Sequence, residues 1–297
     1  MLNSFLIAFN AVMPFLILMG IGAVTIRLKL SDRAFMNRLN GLTFRVFFPF
    51  MLFYNVYNSK PENMPSMKLI LTAVIALTLL IGSMLVIVPR IVPENPRRGV
   101  IIQAIYRSNL VIYGIPLTAH VFGPERASIC GMVTLVIVSL FNIYAVIVLE
   151  IFREGGSIDP GRLIRSIICN PLLQGCVAGL VFFLLNIKLP TFIMSPVSSM
   201  ASAATTLAII VLGANLRFEE LKKNRHIITV VVAIRLIIIP LIMLLIGYAA
   251  GLRDIELFLM LMIFGTPVAA SSYPMAQNMG GDGQLAGQLV LETTAAS

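Results

Sequence analysis

Two stretches of the sequence place polar side chains and helix-interrupting residues inside otherwise apolar runs. The first, NLVIYGIPLTAHVFG at residues 109–123, contains Asn109, Gly114 and Pro116. The second is PVAASSYPMAQNMGG at residues 267–281. Its polar residues and central proline are Ser271, Ser272, Pro274, Gln277 and Asn278. Hydroxyls and side-chain amides can bind a carboxylate or a sodium ion, or they can bridge neighbouring helices. These residues are therefore the candidates for substrate binding.

The two prolines predict that each stretch interrupts a helix. Proline has no backbone N–H, so Pro116 and Pro274 each leave the carbonyl four residues earlier without its helical donor. Each proline also suits the start of a new half-helix, whose N-terminus is the positive end of the helix dipole. Two such ends facing one cavity would form an anion site. The alternative is that both are ordinary proline kinks, which membrane helices tolerate.

Four further side chains in the apolar runs could carry charge or a proton: Arg107, Arg235, His120 and Glu292. The arginines could make a cationic cavity for carboxylates, or they could snorkel to the membrane interface or pair structurally. His120 could carry a proton, although a lone histidine is more often a hydrogen-bonded structural residue. The second histidine lies in a distant run and the three cysteines lack paired metal spacing, so we expect no metal and no cofactor.

The elements that carry these residues are predicted to be membrane helices. The composition is 58% hydrophobic and 12% charged, with a mean hydropathy of +0.95. Apolar runs of about the 20 residues that a spanning helix needs recur along the chain, mostly without a polar face. They cover 5–26, 39–57, 68–89, 100–122, 129–151, 164–187, 193–214, 227–249 and 256–279, and a tenth begins near Gln284. We therefore predict an all-α polytopic membrane protein of about ten transmembrane helices in the lipid bilayer.

The chain is predicted to contain two copies of a five-helix unit. Residues 109, 116 and 123 align with 267, 274 and 281 at a constant offset of 158, and GIGAVTIRLKLS from Gly20 matches GLVFFLLNIKLP from Gly179 at an offset of 159. Because five is odd, the second copy would enter the membrane inverted, as in many secondary transporters. The predicted division is 1–152 for the first repeat, 153–163 for a cytoplasmic connecting loop, and 164–297 for the second repeat, with an incomplete last helix.

The basic residues predict the orientation. With the N-terminus outside, the cytoplasmic loops hold 14 Lys and Arg residues and the outside loops hold 5, while 3 of the 22 fall within spans. The positive-inside rule therefore favours an external N-terminus, in a multi-pass protein of the cell membrane. The net charge of +9 is explained in this way, and no nucleic-acid partner is expected.

The same residues resemble the auxin efflux carrier family of permeases, which includes plant auxin carriers and bacterial carriers proposed for malate or malonate. NLVIYGIPLTAHVFG resembles the family's fourth helix, GTPVAASSYPMAQNMGGD its ninth, and NPLLQGCVAGLVFFLLNIKLP, from Asn170, the start of its second repeat. The resemblance implies a scaffold and a transport domain, a crossing of helices four and nine at Pro116 and Pro274, and substrate contact by Asn109. In the plant carriers a proline precedes that asparagine, whereas here it is Ser108.

The predicted function is a secondary transporter that moves a small organic anion, a carboxylate, by alternating access. Its site would lie where the two broken helices cross, a proton or sodium ion could be coupled, and the chain could form a homodimer. The closest alternative is a sodium-coupled symporter of the bile-acid type. A membrane-embedded enzyme is disfavoured because the sequence has no HExxH, no GxSxG and no paired intramembrane aspartates. A channel is disfavoured because inverted repeats with midplane breaks favour alternating access.

Overall fold

The structure is a computed structural model that describes residues 2–58, 65–153, 155, 160–216 and 218–297. Across these ranges the regular structure is helical, apart from one isolated antiparallel bridge between Ser108 and Val268. The prediction of an all-α fold is therefore confirmed. Within the described residues, four segments are long and apolar enough to cross a membrane: Met67–Ile91, Glu125–Ile151, Thr191–Asn215 and Asn224–Ala249. Of the predicted connecting loop at 153–163, residues 154 and 156–159 lie outside the described residues, and residues 160–163 belong to a helix that begins at Pro160.

The first half of the chain contains seven α-helices within its described part. They are α1 (Leu2–Arg27), α2 (Arg33–Leu42), α3 (Phe48–Tyr57), α4 (Met67–Ile91), α5 (Asn95–Tyr106), α6 (Ile115–Phe122) and α7 (Pro124–Ile151). Short polar side chains cap two of these helices. Asp32 accepts from the Phe35 N–H at the start of α2, and Ser66 accepts from the Leu69 N–H at the start of α4. Such caps satisfy donors that have no partner within the helix.

The second half of the chain contains eight more helices among the described residues. They are α8 (Pro160–Ile168), α9 (Pro171–Leu184), α10 (Thr191–Asn215), α11 (Phe218–Ala233), α12 (Ile239–Ala249), α13 (Asp254–Gly265), α14 (Ser272–Asn278) and α15 (Gly283–Ala296). Asn170 caps α9 and Asp282 caps α15 in the same manner as the caps of the first half. These caps satisfy backbone donors at the starts of the two helices.

Three π-helical segments lead into helices that carry a proline at their second position. Thr43–Phe47 precedes α3 with Pro49, Leu110–Gly114 precedes α6 with Pro116, and Ile234–Ile238 precedes α12 with Pro240. A proline removes one donor from the helical hydrogen-bond ladder, and a π-helical turn is one way in which the ladder adjusts. Membrane helices tolerate such prolines when local π geometry absorbs them.

Two helix pairs pack with their backbones in close contact. A Cβ on Gly22 of α1 would collide with the Ile210 carbonyl, and one on Gly213 of α10 would collide with the Met19 carbonyl. Glycines of α9 pack in the same way on the backbone of α3. Small residues allow this close approach between membrane helices. Helices α1, α2, α3, α9 and α10, which contact one another, are called the glycine-packed group below.

The remaining long helices form a second set of mutual contacts. Helix α5 packs on α4, α7 and α15, while α15 also packs on α11 and α14. Arg97 of α5 forms an ion pair with Asp282 at the start of α15, with 3.3 Å between Nε and Oδ2. We call α4–α7 and α11–α15 the broken-helix group, because it contains the two interruptions described next.

Candidate substrate site at the two helix breaks

Two broken helices meet backbone to backbone. Helix α5 ends at Tyr106 and helical structure resumes at Leu110, while α13 ends at Gly265 and α14 begins at Ser272. Between these ends, Ser108 and Val268 form the antiparallel bridge, and the Asn109 N–H donates to the Pro267 carbonyl at 2.9 Å. We call this contact the crossing. Each break thus satisfies backbone groups of the other, as a protein interior without water requires.

The hydrogen-bonded crossing lies upstream of the two prolines. Asn109 stands seven residues before Pro116, and Pro267 stands seven residues before Pro274. Pro116 is exposed on α6, whereas Pro274 is buried in α14. The extended segments at 107–109 and 266–268 therefore make the contact, about two helical turns before the position that the resemblance implies.

A cavity of about 220 Å³ lies beside the crossing. Residues 107–112 and 269–271 contribute one side, and side chains of α3, α7, α9 and α10 complete it. Arg107 is the one charged residue among the described residues that line it. The polar lining residues are Tyr54, Asn55, Arg107, Ser108, Asn109, Asn142, Ser202, Thr205 and Ser271. The cavity is thus polar beside the crossing, and the charge that the described residues bring to its lining is positive.

Arg107 is held at the wall of this cavity by uncharged partners. Its side chain is buried, with 4% exposure, and Nη2 donates to Asn142 Oδ1 at 2.7 Å and to Ser271 Oγ at 2.9 Å. The ion pairs among the described residues join Arg97 to Asp282 and Arg153 to Glu150, so none of them involves Arg107. A buried charge without an opposite charge is costly. Its burial also means that Arg107 does not snorkel to the interface.

Two side chains of the first break offer unused hydrogen-bonding groups. The Asn109 side chain lines the cavity, and its amide forms no hydrogen bond with any residue that the structure describes. The neighbouring Ser108 hydroxyl is buried and also lacks a partner within the described ranges. An amide can donate to a carboxylate and a hydroxyl can donate or accept. Asn109, Arg107 and Ser271 are thus the predicted residues that the structure brings together.

Gln277 and Asn278 lie apart from this cavity. The Gln277 side chain accepts from Asn40 Nδ2 at 2.7 Å and donates to Asn37 Oδ1 at 2.9 Å, which links α14 to α2. Asn278 is exposed, and its amide donates to the Pro274 carbonyl within its own helix. In this conformation the two amides do not share a site with Asn109.

The other predicted residues also lie outside the cavity lining. Ser272 is buried beside Ser271, and its hydroxyl has no hydrogen-bond partner among the described residues. Gly114 packs closely against Leu110 and Cys130, so it serves the contact between the broken helix and α7. His120 is exposed on α6, and the half-buried Glu292 takes part in no ion pair that the described residues form.

Arg235 occupies a different place from Arg107, although both arginines are buried. It is fully buried in the π-helical segment Ile234–Ile238, and it does not line the cavity. Nη1 donates to the Ile105 carbonyl at 2.9 Å, and Nη2 donates to the Thr266 carbonyl at 2.7 Å. It therefore contacts the ends of α5 and α13 outside the cavity lining.

Comparison with known proteins identifies the family. A family model described as membrane transport protein matches residues 7–297. The chain belongs to this family. The match covers nearly the whole sequence and confirms the family resemblance read from the two interrupted stretches. This member of the membrane transport protein family has no significant match among curated proteins.

Several lining residues of this transport protein were not predicted from the sequence. Asn142 of α7 and Asn55 of α3 are amides within the apolar runs 129–151 and 39–57. A polar amide inside an apolar run is a sequence feature from which they could be predicted. Ser202 and Thr205 lie in the small-residue run SSMASAATT of α10. Such runs usually indicate helix packing, so the sequence alone does not distinguish a cavity wall from a helix contact.

Proposed function

We propose that this membrane transport protein is a secondary carrier for a small organic anion, a carboxylate. The observation that carries the proposal is the buried guanidinium of Arg107, which lines a cavity and has only uncharged partners among the described residues. Removing a charge from water without an opposite charge costs several kcal/mol. A carboxylate bound in the cavity would offset that cost, whereas a neutral solute would not.

The backbone beside Arg107 favours the same ligand. The first N–H groups of a helix have no partner within the helix, and they carry its positive partial charge. Leu110, Val111 and Ile112, which begin the second half of the first broken helix, all line the cavity. Together with the Asn109 amide, which has no hydrogen-bond partner among the described residues, these donors could bind carboxylate oxygens without introducing an acidic group that would repel them.

A second cavity adjoins the first toward one end of the molecule, and this supports transport by alternating access. This second cavity, of about 420 Å³, shares five lining residues with the first: Leu52, Tyr54, Asn55, Val111 and Val138. It extends to Asn58 at the end of α3 and to Ser128 near the start of α7. An anion could therefore reach the crossing from this end, which the predicted orientation places outside the cell.

At the opposite end, an amide network joins the two helix groups. Asn37 and Asn40 of α2 bond to Gln277 of α14, and Asn215 of α10 donates to both Asn37 and the Tyr273 hydroxyl. We propose that the glycine-packed group is the scaffold and that the broken-helix group moves against it. Breaking this network would then open the site to the other side, which is the cytoplasm in the predicted orientation.

The arrangement of helices supports two inverted five-helix repeats. We take α1, α2–α3, α4, α5–α6 and α7 as the first repeat, and α9, α10, α11–α12, α13–α14 and α15 as the second. In this division the first helix of each repeat packs on the second helix of the other, since α1 contacts α10 and α9 contacts α3. The fourth member of each repeat is the broken one. Secondary transporters place their sites between such repeats.

A ligand screen with the purified protein tests this proposal. Small mono- and dicarboxylates should raise the unfolding temperature, because a ligand that binds only the folded state stabilises it by an amount that grows with the ratio of ligand concentration to Kd. Neutral amides of the same acids serve as matched controls and should have no effect. Equal stabilisation by neutral amides or by organic cations would contradict the anion assignment.

A further inference from the structure

Arg235 is a cation that is buried beside the crossing and does not line the cavity. It has the largest fully buried side chain among the described residues, and it takes part in neither of the ion pairs found there. Its polar contacts are with the carbonyls of Ile105 and Thr266, and its Nε has no partner in the described part of the chain. The role of Arg235 therefore depends on the hydrogen bonding of those two carbonyls.

Both carbonyls lack a helical donor because of the breaks. In a continuous helix the Ile105 carbonyl would accept from the N–H of Asn109, but that N–H donates to Pro267 instead. Thr266 is the first residue after α13, where the last carbonyls of a helix have no donor. Arg235 supplies one N–H to each of them, with the planar fork that a guanidinium provides.

The two carbonyls also mark a region of negative potential. Ile105 lies in the last turn of α5 and Thr266 directly follows α13, and a helix C-terminus carries about −0.5 of an elementary charge. Two such ends close together favour a cation. In many secondary transporters, unwound backbone carbonyls and half-helix C-termini bind the coupling sodium ion. Here the guanidinium of Arg235 already bonds to carbonyls of this kind from both breaks.

We propose that Arg235 is the resident cation of the crossing, which joins the C-terminal ends of both half-helices and occupies the place that a coupling metal cation would take. The crossing therefore keeps its structure without sodium, and the sodium-coupled alternative loses its site at these carbonyls. The statement about coupling rests on the proposed transport function, whereas the statement about the structure of the crossing does not.

The experiment measures thermal unfolding without any substrate, in sodium chloride and in choline chloride of equal ionic strength. The wild-type protein should have the same unfolding temperature in both salts. In choline chloride, Arg235→Ala should unfold several degrees below the wild type. Sodium chloride, or low millimolar guanidinium added to choline chloride, should restore part of this loss in unfolding temperature. Arg235→Lys, which keeps a cation, should lie between the two proteins. Arg45→Ala is the matched control, because Arg45 is an exposed arginine in another π-helical segment, and it should show neither the loss nor the rescue.

Three results would overturn the proposal: stabilisation of the wild type by sodium over choline, an Arg235→Ala protein as stable as the wild type, or a loss that no cation relieves. If Arg235→Ala does not fold, Arg235→Lys is compared with Arg235→Met, and equal stability of these two overturns it. Since no substrate is present, failure to bind carboxylates would leave this result unchanged and would contradict the proposed function alone.

Discussion

Replacing Arg107 by glutamine removes the positive charge of the cavity and keeps an amide that can still bond to neighbouring polar groups. A hydrogen bond to a charged group contributes about 1.5–3 kcal/mol, and 1.4 kcal/mol corresponds to a tenfold change in Kd. The dissociation constant of a carboxylate should therefore rise by about 10- to 100-fold in Arg107→Gln. The folded protein should not lose stability, because the substitution also removes an unneutralised buried charge.

The assay is titration calorimetry with the carboxylate that stabilises the wild type most in the ligand screen. Two further variants act as controls. Arg107→Lys keeps the charge but not the planar fork, so its affinity should lie between those of the wild type and Arg107→Gln. Arg45→Gln removes an exposed arginine and should leave the affinity unchanged. A neutral amide of the same acid should bind weakly to every variant.

An unchanged carboxylate affinity in a well-folded Arg107→Gln protein would refute the reasoning. Arg107 would then be a structural arginine that joins α7 to the second break through Asn142 and Ser271. A loss of folding in Arg107→Gln, with normal folding of Arg107→Lys, would point to the same structural role.

Three further predictions concern the site, the packing and the orientation. Asn109→Ala should weaken carboxylate binding by about 3- to 10-fold, which corresponds to the loss of one hydrogen bond. It should leave the unfolding temperature of the substrate-free protein unchanged, because the Asn109 amide has no partner among the described residues. An unchanged carboxylate affinity by calorimetry would contradict this prediction. Gly213→Ala should lower the unfolding temperature, since its Cβ would collide with the Met19 carbonyl of α1. The control, Gly20→Ala, should leave the unfolding temperature unchanged because its Cβ would meet open space. Equal stability of the two variants would exclude the close packing of α1 on α10. In a background without native cysteines, an impermeant thiol reagent added outside should label Lys188→Cys and not Lys29→Cys, and the reverse pattern would invert the orientation.

The helical segments could be predicted from the sequence because apolar runs of membrane length have few alternative structures. The run 193–214 coincides with α10 (Thr191–Asn215), and the run 68–89 coincides with α4 (Met67–Ile91). The position of the breaks could not be predicted in the same way. A proline identifies a helix that is interrupted nearby, but the extended segment lies where Asn109 can pair with Pro267, a partner remote in sequence.

The two buried arginines show the same limit for the candidate site. Arg107 and Arg235 are each a single arginine in an apolar run, and the sequence offers the same alternatives for both. Their roles differ only in the three-dimensional structure, where Arg107 lines the cavity and Arg235 bonds to two backbone carbonyls outside the cavity lining. The sequence predicts that Gln277 binds substrate together with Asn109, because both lie in the broken stretches, whereas the partners of Gln277 in the structure, Asn37 and Asn40, belong to α2.

Exchange of a carboxylate across a membrane tests the central proposal most directly. The protein is reconstituted in liposomes loaded with an unlabelled carboxylate from the screen, and uptake of the labelled acid is followed. The wild type should accumulate the label transiently and saturably, Arg107→Gln should need a higher concentration for the half-maximal rate, and the neutral amide should not exchange. A wild-type protein that binds the acid but does not exchange it, or that exchanges the neutral amide equally fast, would contradict the account.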